Sequence, residues 1–144
     1  CIRDRLLGVN MRRFHRIKPI LTGAAAVFLL ATPSVAQAPA AISGIESGNW
    51  ELRDLGRSGV RNQICVRNPA RLLQIRHPGQ ACPRRVLSED GRSVTVRYEC
   101  SGSGWGQTSV SVETPRLVRI DTQGIDSGSP FNASYEARRT GECN

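Results

Sequence analysis

Apolar and polar residues alternate with a period of two along most of the chain beyond residue 48. In the first such run, 49–54, the apolar positions are Trp50 and Leu52, and this alternation is typical of a strand with one buried face. Further runs cover 62–67, 86–87, 93–100, 107–114, 116–122 and 131–139, and turns at Pro115, Gly124 and Gly128 separate the last of them. Short strands with close turns predict a mainly β domain, folded as a single antiparallel β barrel or sandwich.

One segment breaks the strand pattern and predicts a short helix. Asn68 can cap its first turn, and Pro69 suits the first helical position. Leu72 and Leu73 would then face inward, and the sequence 77–79, His-Pro-Gly, stops the helix. The domain is therefore expected to contain one short helix between its second and third strands.

Four cysteines follow residue 38, an even number that indicates two disulfides in a small exported domain. Residues 89–92 carry a turn signal, and folding the chain back at this turn places Cys82 nearly opposite Cys100. Their Cα atoms then lie within the reach of a disulfide. Cys65 is left to pair with Cys143, so the predicted disulfides are Cys82–Cys100 and Cys65–Cys143.

An export signal precedes this domain. Met11 is the only methionine, residues 12–18 are rich in basic side chains, and 20–30 form an apolar run. That run is shorter than the roughly 20 residues that span a bilayer. Ala36 and Ala38 supply the small side chains that signal peptidase requires. We therefore expect cleavage after Ala38, with no membrane span in the mature protein.

The export signal divides the chain into four parts. Residues 1–10 are interpreted as an upstream extension from a misread start codon and 11–38 as the signal peptide. A flexible lead-in, 39–47, and the secreted β domain, 48–144, follow. The expected location is the periplasm or the outside of the cell.

Most of the formal net charge of +8 lies in residues 1–38, which contain the export signal. Residues 1–38 hold six basic residues and one acidic residue, which leaves 14 arginines against 11 acidic residues in the remainder. These arginines are scattered along the strands. A nucleic-acid binder typically has a basic stripe with interleaved aromatic residues, so nucleic acid is not an expected partner.

No catalytic group of residues stands out, and an enzyme is not expected. His77 is the single histidine after residue 38, and it has neither a G-x-S-x-G nucleophile nor an orienting partner nearby in the sequence. We interpret it as a surface turn residue. The glutamates lie at outward or loop positions, so paired catalytic carboxylates are not indicated. The absence of a C-x-x-C pair argues against a metal site, and no cofactor is predicted.

Two features are candidates for binding. Trp105 lies between glycines, where its ring can stack on a sugar or on a partner protein. Packing in the core at the start of the next strand is the alternative. Arg84 with Arg85, and Arg138 with Arg139, would form an anion-binding patch if their strands were neighbours.

Several motifs occur in a familiar order: Gly48-Asn49-Trp50-Glu51, Ile64-Cys65-Val66, the cysteine-bounded hairpin and the ending 138–143, Arg-Arg-Thr-Gly-Glu-Cys. Over nearly the whole mature chain this order resembles a family of small secreted proteobacterial proteins known only as a domain of unknown function. The resemblance implies a periplasmic or secreted β domain in a Gram-negative bacterium. It implies no catalytic residue.

A second resemblance concerns residues 97–102, Arg-Tyr-Glu-Cys-Ser-Gly, which are similar to the Y-x-C segment of small periplasmic lysozyme inhibitors. The inhibitory S-G-x-x-Y loop of that family has its nearest counterpart at 126–129, without the tyrosine. We therefore expect a non-catalytic binding module whose partner is an envelope component or a protein. Inhibition of lysozyme-type enzymes is the alternative function, and hydrolysis of an unknown substrate is the third.

Overall fold

The computed structural model describes residues 38–57 and 59–144. Apart from Ala38, the predicted upstream extension 1–10 and signal peptide 11–38 lie outside these residues. The described chain contains two 3-10 helices and seven strands. These elements are η1 (Ala40–Ile42), β1 (Gly48–Asp54), β2 (Arg61–Val66), η2 (Pro69–Gln74), β3 (Arg84–Glu89), β4 (Ser93–Cys100), β5 (Gly104–Thr114), β6 (Leu117–Asp126) and β7 (Ser129–Gly141).

All seven strands belong to one antiparallel sheet in the order β2-β1-β7-β6-β5-β4-β3. The predicted mainly β class is confirmed. The sheet is open, with β2 and β3 at its edges, and does not close into the expected barrel. The connection from β2 to β3 contains η2, which packs against β2 and β5. Through Leu72 and Leu73, this connection contributes to the hydrophobic core.

One face of the sheet forms the hydrophobic core. Alternate residues of each inner strand are buried there, including Trp50 on β1, Val96 on β4 and Ile120 on β6, each 0 % exposed. η2 adds Leu72 and Leu73, which are also 0 % exposed. Burying an aliphatic or aromatic side chain of this size stabilises the fold by about 1.5–3 kcal/mol. The two 3-10 helices therefore form the second layer of the domain.

The predicted helix forms with the predicted cap, but as a 3-10 helix. The side chain of Asn68 accepts a hydrogen bond from the Ala70 backbone N at 2.9 Å. The segment 39–47 was predicted to be a flexible lead-in, but in the structure it packs against the rest of the domain. It forms η1 and buries Ile42 and Ile45, which are 0 % and 4 % exposed. Most residues of this segment are small or polar, so the sequence did not indicate that the two isoleucines, three residues apart, would be buried.

Both predicted disulfides are confirmed. Cys82 and Cys100 have Cα atoms 4.6 Å apart, and Cys65 and Cys143 have Cα atoms 5.4 Å apart. Two disulfides fit an oxidising location outside the cytoplasm. Among the residues that the structure describes, no helix combines the length and the apolar character needed to cross a membrane.

The turn expected at Gly124 does not form, because β6 continues through this residue to Asp126. A Cβ atom on Gly124 would lie 2.1 Å from the backbone O of Trp105 and 3.0 Å from Cζ of Phe131. Glycine is needed here for close approach within the sheet. The turn predicted at Gly128 does form, and the φ values of Ser127 and Gly128, 51° and 81°, suit a tight two-residue hairpin.

Candidate functional site

The sheet face opposite the core, which we call the polar face, carries side chains in register across several strands. Its central row consists of Arg85 on β3, Arg97 on β4, Gln107 on β5, Gln123 on β6 and Asn132 on β7, each directly opposite the next. Neighbouring strands lie about 4.8 Å apart, so five strands give a row about 19 Å long. The row ends in two cations on one side and in amides on the other.

The rows on either side of the central row differ in chemistry. One is apolar on β5, β6 and β7, where it consists of Trp105, Ile125 and Pro130, and it continues with Glu99 on β4. The other bears hydroxyl and carboxylate groups, namely Thr95, Ser109, Asp121 and Ser134. In this second row Thr95 Oγ1 and Ser109 Oγ are 2.9 Å apart, and Ser134 Oγ donates to Asp121 Oδ1 at 2.5 Å. Within the described residues, by contrast, the three amide side chains of the central row make no hydrogen bond.

Shallow depressions lie along this face. One, of about 290 Å³, is lined by the amides of the central row with Ser109, Asp121 and Ser134. A larger one, of about 690 Å³, adjoins it and is bounded by Arg119 and by the β1–β2 turn, 54–57. Both share Asn132, Asp121 and Ser134. The amide end of the face is therefore a broad polar surface that an extended ligand can follow.

Trp105 lies on the polar face, half-buried, and not in the core. The guanidinium carbon of Arg97 lies 4.1 Å from the centroid of its ring. The neighbouring residue Gly106 occupies the core face, where a Cβ atom would lie 2.3 Å from the Tyr98 hydroxyl. Tyr98 fills the core at Gly106, and because successive side chains of a strand point to opposite faces, Trp105 projects to the polar face.

The two predicted arginine pairs do not form one patch. Arg84 and Arg85 lie on β3, whereas Arg138 and Arg139 lie on β7, and three strands separate them in the sheet. This corresponds to about 19 Å. Arg139 is further engaged within the fold, since its Nε donates to the Ser47 carbonyl at 2.7 Å. The two pairs could have formed a shared anion site only if their strands were adjacent, and they are not.

The residue that does lie beside Arg85 is Arg97, which sequence analysis did not select. The two are directly opposite on neighbouring strands. A signal for this pairing was present, because the register that places Cys82 opposite Cys100 also places Arg85 opposite Arg97. With Pro83, Arg84 and Glu99, the two arginines line a depression of about 290 Å³.

His77 is buried and is not the surface turn residue expected from the sequence. It is 1 % exposed, with Nδ1 3.2 Å from the Tyr98 hydroxyl and Nε2 3.2 Å from the Ser103 carbonyl O. The side chain of Gln74 donates to the His77 carbonyl at 2.7 Å. The β2–β3 connection crosses the core face, so a residue in its turn points into the sheet.

A hydrogen-bonded cluster surrounds His77 at this end of the core. Burial raises the pKa of the Tyr98 phenol to about 12, so this group is neutral at physiological pH. Arg76 lies 3.5 Å from Asp126 and 5.0 Å from the Phe131 ring centroid. Because His77 is closed to solvent, we assign this cluster to packing and not to the binding of a ligand.

Within residues 38–57 and 59–144, no group of three or more histidine, cysteine or acidic side chains is placed to hold a metal ion. Comparison of the chain with protein-family models and with curated proteins finds no match. The geometry of the polar face is therefore the basis for a functional proposal.

Proposed function

We propose that this chain is an exported, non-catalytic binding module of the bacterial envelope, and that the polar face binds a saccharide. The observation that carries the proposal is the central row. Its amides on β5, β6 and β7 are in register and have no hydrogen-bond partner in the described chain. An amide side chain both donates and accepts hydrogen bonds, as sugar hydroxyl groups do.

The apolar row beside the amides supports the same ligand class. A sugar ring has apolar C–H faces as well as hydroxyl groups, and Trp105 with Ile125 provides an apolar strip next to the central row. Ligand sites commonly combine apolar surface with a few well-placed polar groups. A face about 19 Å long suits a chain of several sugars better than a single one.

The location forms part of this proposal. The predicted signal peptide and the two disulfides fit the periplasm of a Gram-negative bacterium, where envelope polysaccharides are available. Membership of the family of small secreted proteobacterial proteins that the sequence resembles is proposed on the same grounds.

The test uses the exported, oxidised protein, with peptidoglycan sacculi in a sedimentation assay and chitotetraose in a fluorescence titration. The chain has two tryptophans, and Trp50 is 0 % exposed on the core face. A fluorescence change on titration therefore reports on Trp105, and it should disappear in the Trp105→Phe variant. We expect the double variant Gln107→Ala/Gln123→Ala to bind about tenfold more weakly, because two neutral hydrogen bonds are lost.

Gln80→Ala is the matched control, since this exposed glutamine lies in the β2–β3 connection. It should bind as the unmodified protein does. If the sacculi do not retain the protein and chitotetraose does not change its fluorescence, the saccharide proposal is wrong. Inhibition of lysozyme at micromolar concentrations that survives the double substitution would favour the inhibitor function, and release of sugar fragments would favour a hydrolase.

A further inference from the structure

Two like charges face each other at one end of the polar face. Arg85 on β3 and Arg97 on β4 are directly opposite in the antiparallel pair. Residues in such positions have Cβ atoms about 4.5–5.5 Å apart, and like charges there destabilise the sheet. Such a pair therefore calls for a compensating feature, either within the fold or supplied by a ligand.

The fold compensates only one of the two charges. Arg97 Nε lies 3.3 Å from Glu99 Oε1, and its guanidinium is stacked on the ring of Trp105. Stacking and the Nε contact hold the guanidinium while its terminal nitrogens remain available. Within the described residues, Arg85 makes no ion pair. The local charge is therefore positive, with three arginines and one glutamate around the depression.

The arginines also continue the row that the proposed ligand would follow. Arg97 lies directly opposite Gln107, the first amide of the central row. A ligand on the amides thus reaches the two guanidinium groups without leaving the row. Guanidinium groups bind carboxylate and phosphate through paired, charge-assisted hydrogen bonds.

We infer that Arg85 and Arg97 form an anion-binding subsite at the end of the central row, and that the saccharide bound by the polar face carries an acidic substituent. This inference rests on the proposed function. The shared chemistry is an anionic oxygen group on a sugar, which is either a carboxylate, as in uronic acids, or a phosphate.

The experiment compares tetragalacturonate with its fully methyl-esterified form, which has the same sugar backbone without the charges. We expect the acid to bind the exported protein about tenfold more tightly than the ester, since a charged hydrogen bond contributes more than a neutral one. Raising the salt concentration should weaken the binding of the acid but not the binding of the ester. A phosphorylated, de-acylated lipopolysaccharide oligosaccharide forms a third arm, and tighter binding in this arm would identify phosphate as the anionic group.

Arg85→Gln and Arg97→Gln should each reduce the ratio of acid affinity to ester affinity from about tenfold to near one. Arg85→Gln is the cleaner variant, because Arg97 also packs on Trp105. Arg67→Gln is the matched control, as this exposed arginine follows β2 at the opposite edge of the sheet. It should keep the full preference.

Two results would overturn the inference in different ways. Equal binding of acid and ester, together with no tighter binding of the phosphorylated oligosaccharide, would remove the anion subsite while leaving the saccharide proposal in place. Binding of none of the three probes would count against the proposed function itself. If Arg85→Gln changes no affinity but causes the protein to aggregate, the charge serves to protect the exposed edge strand, and the subsite is wrong.

Discussion

The two faces of the sheet are built from the same strands, yet they differ in almost every physical respect. On β6, Val118, Ile120 and Thr122 are buried, while the residues between them are exposed. The core face is covered by η1 and η2 and holds the large apolar side chains. The polar face has no such cover within the described chain. Stability is therefore concentrated on one face, and the other is free to carry the chemistry of binding.

The core face also contains polar side chains. Unlike the amides of the central row, these side chains are hydrogen-bonded. Thr108 and Thr122 bond to each other at 2.8 Å, and His77 contacts the Tyr98 hydroxyl. Buried polar groups are costly unless they are hydrogen-bonded. The amides of the central row lack partners without such a cost, because water can reach them.

The disulfides provide the strongest test of whether the core face alone sets stability. Cys82–Cys100 is buried against Tyr98, whereas Cys65–Cys143 is partly exposed and closes a much longer loop, with a sequence separation of 78 against 18. We expect Cys65→Ala/Cys143→Ala to lower the free energy of unfolding by about 4 kcal/mol and Cys82→Ala/Cys100→Ala by about 3 kcal/mol. Urea denaturation of the two variants measures both. A larger loss from the buried bridge would mean that burial outweighs loop length.

A pair of adjacent residues on β6 tests the contrast directly. Ile120→Ala should lower the free energy of unfolding by about 3 kcal/mol, because a fully buried side chain is replaced by a cavity. Arg119→Ala, one residue away on the exposed face, should stay within about 0.5 kcal/mol of the unmodified protein. Equal losses, measured by urea denaturation, would show that the polar face also contributes to the stability of the fold.

Gly124, on the core face of β6, tests how tightly the strands pack there. Gly124→Ala should cost about 2 kcal/mol, since its Cβ would overlap the Trp105 backbone O at 2.1 Å. Gly91→Ala in the β3–β4 turn is the control, because a Cβ there meets nothing within 4 Å. Thermal unfolding should separate the two variants. Similar melting temperatures would mean that the sheet adjusts easily at Gly124.

The smallest expected effect concerns Asp54, a buried carboxylate at the end of β1. Burial alone would raise its pKa, but hydrogen bonds from Arg57 and Gly56 outweigh this and lower the pKa below its ordinary value of 3.8. The ionised form therefore stabilises the fold, fully above pH 3.8 and progressively less as the pH falls through the lowered value.

Asp54→Asn should accordingly show a smaller fall in melting temperature between pH 5 and pH 2 than the unmodified protein. Differential scanning calorimetry at both pH values measures this. Asp90→Asn in the exposed turn is a useful comparison, because hydrogen bonds from Arg92 and Ser93 lower the pKa of Asp90 as well. An unchanged pH dependence in Asp54→Asn would mean that other carboxyl groups govern acid stability.

The candidate site was only partly visible in the sequence. Trp105 and Arg85 were selected there, but Arg97 and the amides of the central row were not. A glutamine on a predicted strand resembles any other solvated residue until its neighbours on the adjoining strands are known. Arg97 was accessible in principle through the register implied by Cys82 and Cys100, whereas the alignment of Gln107 with Asn132 required the pairings of three strands.

The sequence by itself determined the strands, the cap at Asn68 and the Cys82–Cys100 disulfide, because alternation, capping and hairpin register depend on residues close together in the chain. Cys65–Cys143, with a sequence separation of 78, followed by elimination. The tertiary structure alone decided that the sheet stays open, that His77 is buried and that Arg85 lies far from Arg138. These outcomes depend on the return of β7 beside β1 and on the path of η2 across the core. Such contacts join distant parts of the chain, and no local pattern specifies them.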